Sequence, residues 1–351
     1  MSRRKKAMNS KIIAIIYAIS AAAFYALNVP CSKTLLSELS PVFLAGLLYL
    51  GAGTGVGIIY LFHFKKEDKS ERLNKSNLPY TVGMVLLDII APILLMLGVK
   101  YGTSGNASLL GNFEIVATTL IAMLIFKEKV TWRLWTAILL ITASSIILTF
   151  ESTDGMNFSV GSLLVLGATL CWGLENNCTR KISEKSTYQI VTIKGLGSGI
   201  GSLALSFITG ETKFILKYIP FALLLGFVAY GLSIFTYIRA QTVLGAAKTS
   251  SYYSIAPFIG VFLAFILLNE KLSAQYFIAL LVMIVGTAFV VYDTLLRSHQ
   301  HEHSHTFTHT HDGATHTHTI VHTHLHKHFV TDEKHDHHHS MEELEREAEH
   351  I

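Results

Sequence analysis

Six histidines in the stretch THTHTIVHTHLHKH (Thr315–His328) are spaced for metal chemistry: His316, His318, His322, His324, His326 and His328. Alternate residues of an extended chain share one side, so these imidazoles can bind Zn, Ni or Cu ions as overlapping, interchangeable sites. No cysteine accompanies them, which argues against a closed structural zinc site. A second set is sparse and lies in apolar surroundings: Asp88, Glu114, Glu175 and Lys194. Ionisable groups there are costly and usually face a cavity or a partner. Carboxylates in such a place can take up and release a proton or bind a cation. Asp88 and Glu114 are therefore expected on a substrate pathway, and Glu175 and Lys194 are expected to pair at an inner gate. Asn112, Trp172, Tyr252 and Tyr253 are expected along the same pathway. A plainer alternative puts Asp88 and Glu114 in packing hydrogen bonds to Asn112 or Tyr230.

The elements that position these residues are apolar runs. Hydrophobic residues make up 51% of the 351, and charged residues only 15%, against about 25% in a soluble chain. The charges are segregated, leaving ten runs: Ile12–Pro30, Pro41–Phe62, Pro79–Val99, Gly105–Phe126, Trp132–Phe150, Val160–Cys178, Gln189–Ile208, Pro220–Tyr237, Ala246–Leu268 and Tyr276–Tyr292. Each run, at roughly 18–22 residues, can cross a ~30 Å hydrocarbon layer as a helix. The expected class is an all-α polytopic membrane protein. The first run is long, lacks a small-x-small site and reads as a span rather than a cleavable signal. Cys31, Cys171 and Cys178 form no disulfide framework.

Basic residues give the orientation. They crowd the N-terminus (Arg3, Arg4, Lys5, Lys6, Lys11) and the second connection (Lys65, Lys66, Lys69, Arg72, Lys75). They recur in the fourth (Lys127, Lys129, Arg133) and the sixth (Arg180, Lys181, Lys185), while the intervening connections are poorer. The positive-inside rule then puts both termini, and the histidine tail, in the cytoplasm, with the chain in the cytoplasmic membrane. The net charge of +4 is spread over these connections and does not suggest nucleic acid.

The chain repeats itself. Gly51-Ala-Gly53-Thr-Gly55-Val-Gly57 in the second run returns as Gly195-Leu-Gly197-Ser-Gly199-Ile-Gly201 in the seventh. A phosphate loop would follow a strand, whereas these glycines lie in apolar helices, where small residues let backbones approach. Glu128-Lys129-Val130-Thr131 returns as Glu270-Lys271-Leu272-Ser273, and Tyr25-Ala-Leu-Asn28 as Trp172-Gly-Leu-Glu175. Five spans per half is an odd number, so the second half enters the membrane inverted. Inverted repeats favour alternating access around a midplane site, which points to a transporter. Inversion places Asn28, the counterpart of Glu175, near the outer end of helix one as an outer-gate candidate.

The closing stretch carries Ala256-Pro257-Phe258-Ile259-Gly260, then Leu268-Asn269-Glu270-Lys271-Leu272 and Gly286, and the first half carries Ile125-Phe126-Lys127-Glu128-Lys129-Val130. Residues 11–293 thereby resemble the EamA-type drug/metabolite transporters. Ile115 stands where that pattern has a proline in helix four, beside Glu114, and the tail lies outside the resemblance. The resemblance implies ten transmembrane helices as two inverted five-helix repeats, and export or exchange of small metabolites such as amino acids, purines or amphipathic drugs. The expected organisation is a basic N-terminus (1–11), two repeats (12–150 and 151–293) and a disordered tail (294–351) ending in a short acidic helix. The leading expectation is a metabolite exporter with a metal-binding tail. A divalent Zn, Ni or Co exporter, or a membrane-anchored metal sensor or store, are the alternatives. No nucleophile–base pair, ATP loop or intramembrane protease signature points to an enzyme. No cofactor is required; the expected partners are lipid, a small-molecule substrate, divalent metal at the tail and, as an open option, a second copy in a homodimer.

Overall fold

The computed structural model describes residues 2–64, 67, 69–127, 130–151, 157–182, 185–244, 249, 252–270, 273–311 and 314–329. The first repeat contains α1 (Ser2–Ala26), α2 (Asn28–Leu35), α3 (Pro41–His63), α4 (Leu78–Tyr101), α5 (Ser104–Leu110), α6 (Phe113–Phe126) and α7 (Trp132–Thr149). The second contains α8 (Val160–Ile182), α9 (Thr187–Ile208), α10 (Ile219–Gly226), α11 (Ser233–Leu244), α12 (Ala256–Leu268) and α13 (Ala274–Leu295), with a π-helical turn, Phe227–Leu232, joining α10 to α11. Sequence explains the boundaries. Pro41, Pro79 and Pro220 sit in the first turns of α3, α4 and α10, where a missing N–H costs nothing. The hydroxyls of Thr103, Thr131 and Ser186 accept from the amides of Asn106, Leu134 and Gln189 and so cap α5, α7 and α9.

Taken in pairs (α1 with α2, α5 with α6, α10 with α11), these helices make ten passes along the bundle. Among the described residues, eight are long and apolar enough to cross a membrane. Two of the ten expected spans fall short of that standard. Ala256–Leu268 is apolar but short, and α8 has spanning length but carries Glu175, Asn176 and Asn177. The distribution of side chains is inverted relative to a water-soluble bundle. Phe62 and Ile208 are 77% and 81% exposed, while Asn28, Asp88 and Ser198 are fully buried. Lipid tolerates the first pattern, and internal hydrogen bonding makes the second affordable.

The glycine runs pack as expected. A Cβ on Gly195 would lie 2.4 Å from the amide nitrogen of Gly53, and one on Gly199 2.6 Å from that of Leu50, so α3 and α9 touch backbone to backbone. Gly51 and Gly55 press against Leu223 and Phe227, Gly57 against Thr192, and Gly197 and Gly201 against Val85 and Ile89. The repeat also shows in the backbone. Among the described residues, Lys127 and Asn269 are the non-glycine residues with positive φ, at 54° and 51°. They stand at matching places, just before the repeated Glu-Lys turns.

Residues 292–351 form a unit of their own. Where a disordered tail is expected, β3 (Leu296–His311) pairs antiparallel with β4 (Ala314–Phe329). A short antiparallel pair, β1 (Phe150–Glu151) with β2 (Asn157–Phe158), links the repeats. The His/Thr alternation, with β-branched residues, is a strand pattern as well as a metal-ligand pattern, which accounts for the hairpin. The expected terminal acidic helix lies outside the described residues.

Candidate functional site

Asp88 is the eleventh of 24 residues in α4, and Glu114 lies at a similar depth where α5 gives way to α6. Lys194 on α9 reaches Asp88 Oδ2 at 3.0 Å and Glu175 Oε2 on α8 at 3.0 Å. The expected Glu175–Lys194 pair is present, and Asp88 joins it. Lysine thus bridges a carboxylate of each repeat. Asp88 Oδ1 accepts from the Tyr49 hydroxyl at 3.0 Å, and Glu175 Oε1 accepts from Thr179. All three charged groups are removed from solvent, with Asp88 and Glu175 nearly completely so and Lys194 at 16% exposure. Paired charges of this kind are costly to break, because removing one partner strands the other.

Glu114 is held differently. Its Oε1 accepts from Asn176 Nδ2 at 2.7 Å, and the same amide reaches Thr118 Oγ1 at 3.2 Å. Successive residues on a helix point about 100° apart. The polar run of α8 therefore turns in three directions: Glu175 to Lys194, Asn176 to Glu114, and Asn177 to the carbonyls of Gly173 and Thr118. Asn176 and Tyr49 are absent from the sequence expectation. The signal for Asn176 was three consecutive polar residues in an apolar helix. The alternative partners proposed for the carboxylates, Asn112 and Tyr230, are not the ones found.

Tyrosine rings form one wall. Tyr49 lies 5.0 Å from Tyr230 between ring centres, Tyr230 meets Tyr25 edge-on at 5.9 Å, and Tyr25 is 5.9 Å from Tyr253. The π-helical turn carries Tyr230 into this row; such turns are frequent at functional sites. Asn28 Nδ2 donates to the Tyr230 hydroxyl at 2.7 Å, and Ser32 donates to Asn28 Oδ1 at 3.2 Å. Asn28, the first residue of α2, is thereby tied to the tyrosine row. The helix runs on to Leu35 because Pro30 falls in the first turn of α2, where it is tolerated. Trp172 is buried in the surrounding core. Tyr252 is exposed, and its neighbour Tyr253 takes the place in the row. Asn112 is buried at the α5–α6 break, and its Nδ2 meets no hydrogen-bond partner among the described residues.

Backbone discontinuities surround the site. Pro92 lacks the N–H that would bond the carbonyl of Asp88, and Pro257 likewise frees that of Tyr253. Helix four lacks this proline, yet it still breaks at Gly111-Asn112, where the amides of Gly111 and Asn112 bond three residues back. Interrupted helices at the interface of two repeats are a recurrent way to build a transport site. Among the described side chains, no three His, Cys, Asp or Glu groups gather to hold a metal. The six tail histidines named above lie where only the backbone is described.

This arrangement defines a polytopic membrane transporter built from two repeats. The chain belongs to the EamA-like transporter family, within the drug/metabolite transporter superfamily; the family model matches residues 12–150 and 159–292. It is 28% identical over 297 residues to an uncharacterized transporter of Methanothermobacter thermautotrophicus, covering 78% of this chain and 84% of that one. It is 24% identical over 228 residues to the uncharacterized transporter YyaM of Bacillus subtilis, covering 61% and 73%. A protein of known crystal structure shares the fold with a TM-score of 0.58 at 15% identity, over 80% of this chain and 97% of that one.

Proposed function

We propose that the chain is a secondary transporter that exports a small organic metabolite, amino-acid-like or drug-like, by alternating access. One observation carries this reading: a lysine from the second repeat holds buried carboxylates of both repeats at 3.0 Å each. Asp88 and Glu175 flank one ammonium and Glu114 is held beside them by Asn176, so carboxylates outnumber the lysine and the site accommodates a further positive charge, as a proton or on the cargo. The tyrosine row adds an apolar, ring-faced wall suited to an organic body. Organic cargo is favoured over a divalent metal because Lys194 fills the position between Asp88 and Glu175 that a metal would need.

The orientation rests on the basic connections, which place both termini on the cytoplasmic side of the cell membrane. The tail then serves as a cytoplasmic buffer or sensor for Zn, Ni or Cu. Its backbone register supports this, with His299 opposite His326, His301 opposite His324, and His303 opposite His322. The test is flux from proteoliposomes against a panel of amino acids and amphipathic amines, with purified wild-type, Asp88→Asn and tail-deleted (298–351) protein. The reading expects organic flux lost in Asp88→Asn and kept without the tail. Zinc or nickel flux that needs both the tail and Asp88 would replace it with metal export.

A further inference from the structure

The end of the bundle where α4 turns into α5 carries a second charged arrangement, distinct from the midplane site. Lys33 Nζ on α2 donates to the carbonyls of Val99 at 2.6 Å and Gly102 at 2.7 Å, the last acceptors of α4. Glu270, just past α12, accepts the amides of Ser104 at 2.7 Å and Gly105 at 2.8 Å through its two carboxylate oxygens. A cation thus sits on a helix C-terminus and an anion on a helix N-terminus, on both sides of one corner, each matched to the helix dipole. Charge-assisted bonds of this kind are the stronger ones, and here the Glu270 bonds cross from the second repeat to the first. The left-handed residue Asn269 directly precedes Glu270, and Lys127 has the same left-handed backbone at the end of α6.

We infer that Glu270 and Lys33 are the positioning pair that holds the outer mouth of the pathway shut in this state, by fixing the α4–α5 corner across the repeats. Neither residue touches cargo; each acts through helix ends. The inference rests on the transport reading for its purpose, but its test needs no substrate, so the two can fail separately.

The probe is a single cysteine at Ser32, which is fully buried one position from Lys33. It is placed in a full-length background with Cys31, Cys171 and Cys178 changed to Ser, and a membrane-impermeant maleimide is added to intact cells. Glu270→Gln and Lys33→Met should each speed labelling about ten-fold or more, given the usual strength of bonds to charged groups. Glu270→Asp, which keeps the charge, should stay close to wild type. A cysteine at Ser144, buried between α7 and α13 away from the corner, reports general loosening. The inference is overturned if Ser32→Cys labels at the wild-type rate in both folded variants. It also fails if Ser144→Cys speeds up equally, or if faster labelling appears only in inverted vesicles.

Discussion

Helix four of the first repeat and helix nine of the second break at matching depths, yet by different means. In helix nine Pro257 removes the bond to Tyr253, whereas in helix four Gly111-Asn112 makes the break and Ile115 keeps its amide bonded to Asn112. The chemistry beside the breaks differs more: a carboxylate, Glu114, in one repeat and a phenol, Tyr253, in the other. The same holds elsewhere. The glycine runs and the left-handed turns occur twice, but Lys194 is found once, facing carboxylates from both sides. Duplication kept the scaffold, and the site between the copies became asymmetric.

The largest effect in breaking this comparison should come from the unduplicated residue. Lys194→Met strands two buried carboxylates, and a cost of about 3–5 kcal/mol is expected, read as a large fall in melting temperature with loss of flux. Adding Asp88→Asn should restore part of the stability and none of the flux. Next is the duplicated scaffold. Gly195→Val drives side-chain atoms into the backbone at Gly53 and should destabilise by about 1–3 kcal/mol or more, measured by thermal unfolding in detergent. Glu114→Gln keeps the hydrogen bond from Asn176 and should leave unfolding nearly unchanged while reducing flux about ten-fold or more. The smallest effect is expected for Ile115→Pro, which gives helix four the break of helix nine. Only one short-range amide bond, Ile115 to Asn112 at 3.1 Å, is lost in a first helical turn, so a shift under about 1 kcal/mol should follow.

Much of the scaffold was legible in the chain because lipid imposes long apolar runs, and a five-span unit repeated once must invert. Charged residues in those runs stood out for the same reason, so Asp88, Glu114, Glu175 and Lys194 were found. Their partners were less legible. Which face of α4 meets α9 decides that Asp88 joins Lys194, and no residue spacing encodes that. Asn28 lies toward the Leu35 end of its span, but its bond to Tyr230 could not be read from spacing. Tyr252 and Tyr253 are equally suggestive in the sequence, and only their separation of about 100° on the helix puts Tyr253 in the ring row and leaves Tyr252 exposed. Tyr49 carries no sequence signal of the bond it makes, and Asn176 only that of a polar run in an apolar helix. In the tail, an alternation read for its ligands also encodes strands.

The claim at the centre is that the Lys194 bridge and Glu114 form the cargo site. It is tested most directly by thermal-shift titration of purified full-length protein with an organic metabolite that stabilises the wild type. The account predicts that the stabilisation disappears in Asp88→Asn and in Glu114→Gln, although both variants fold. A metabolite that stabilises both variants as well as it stabilises the wild type would place the cargo elsewhere and contradict the account.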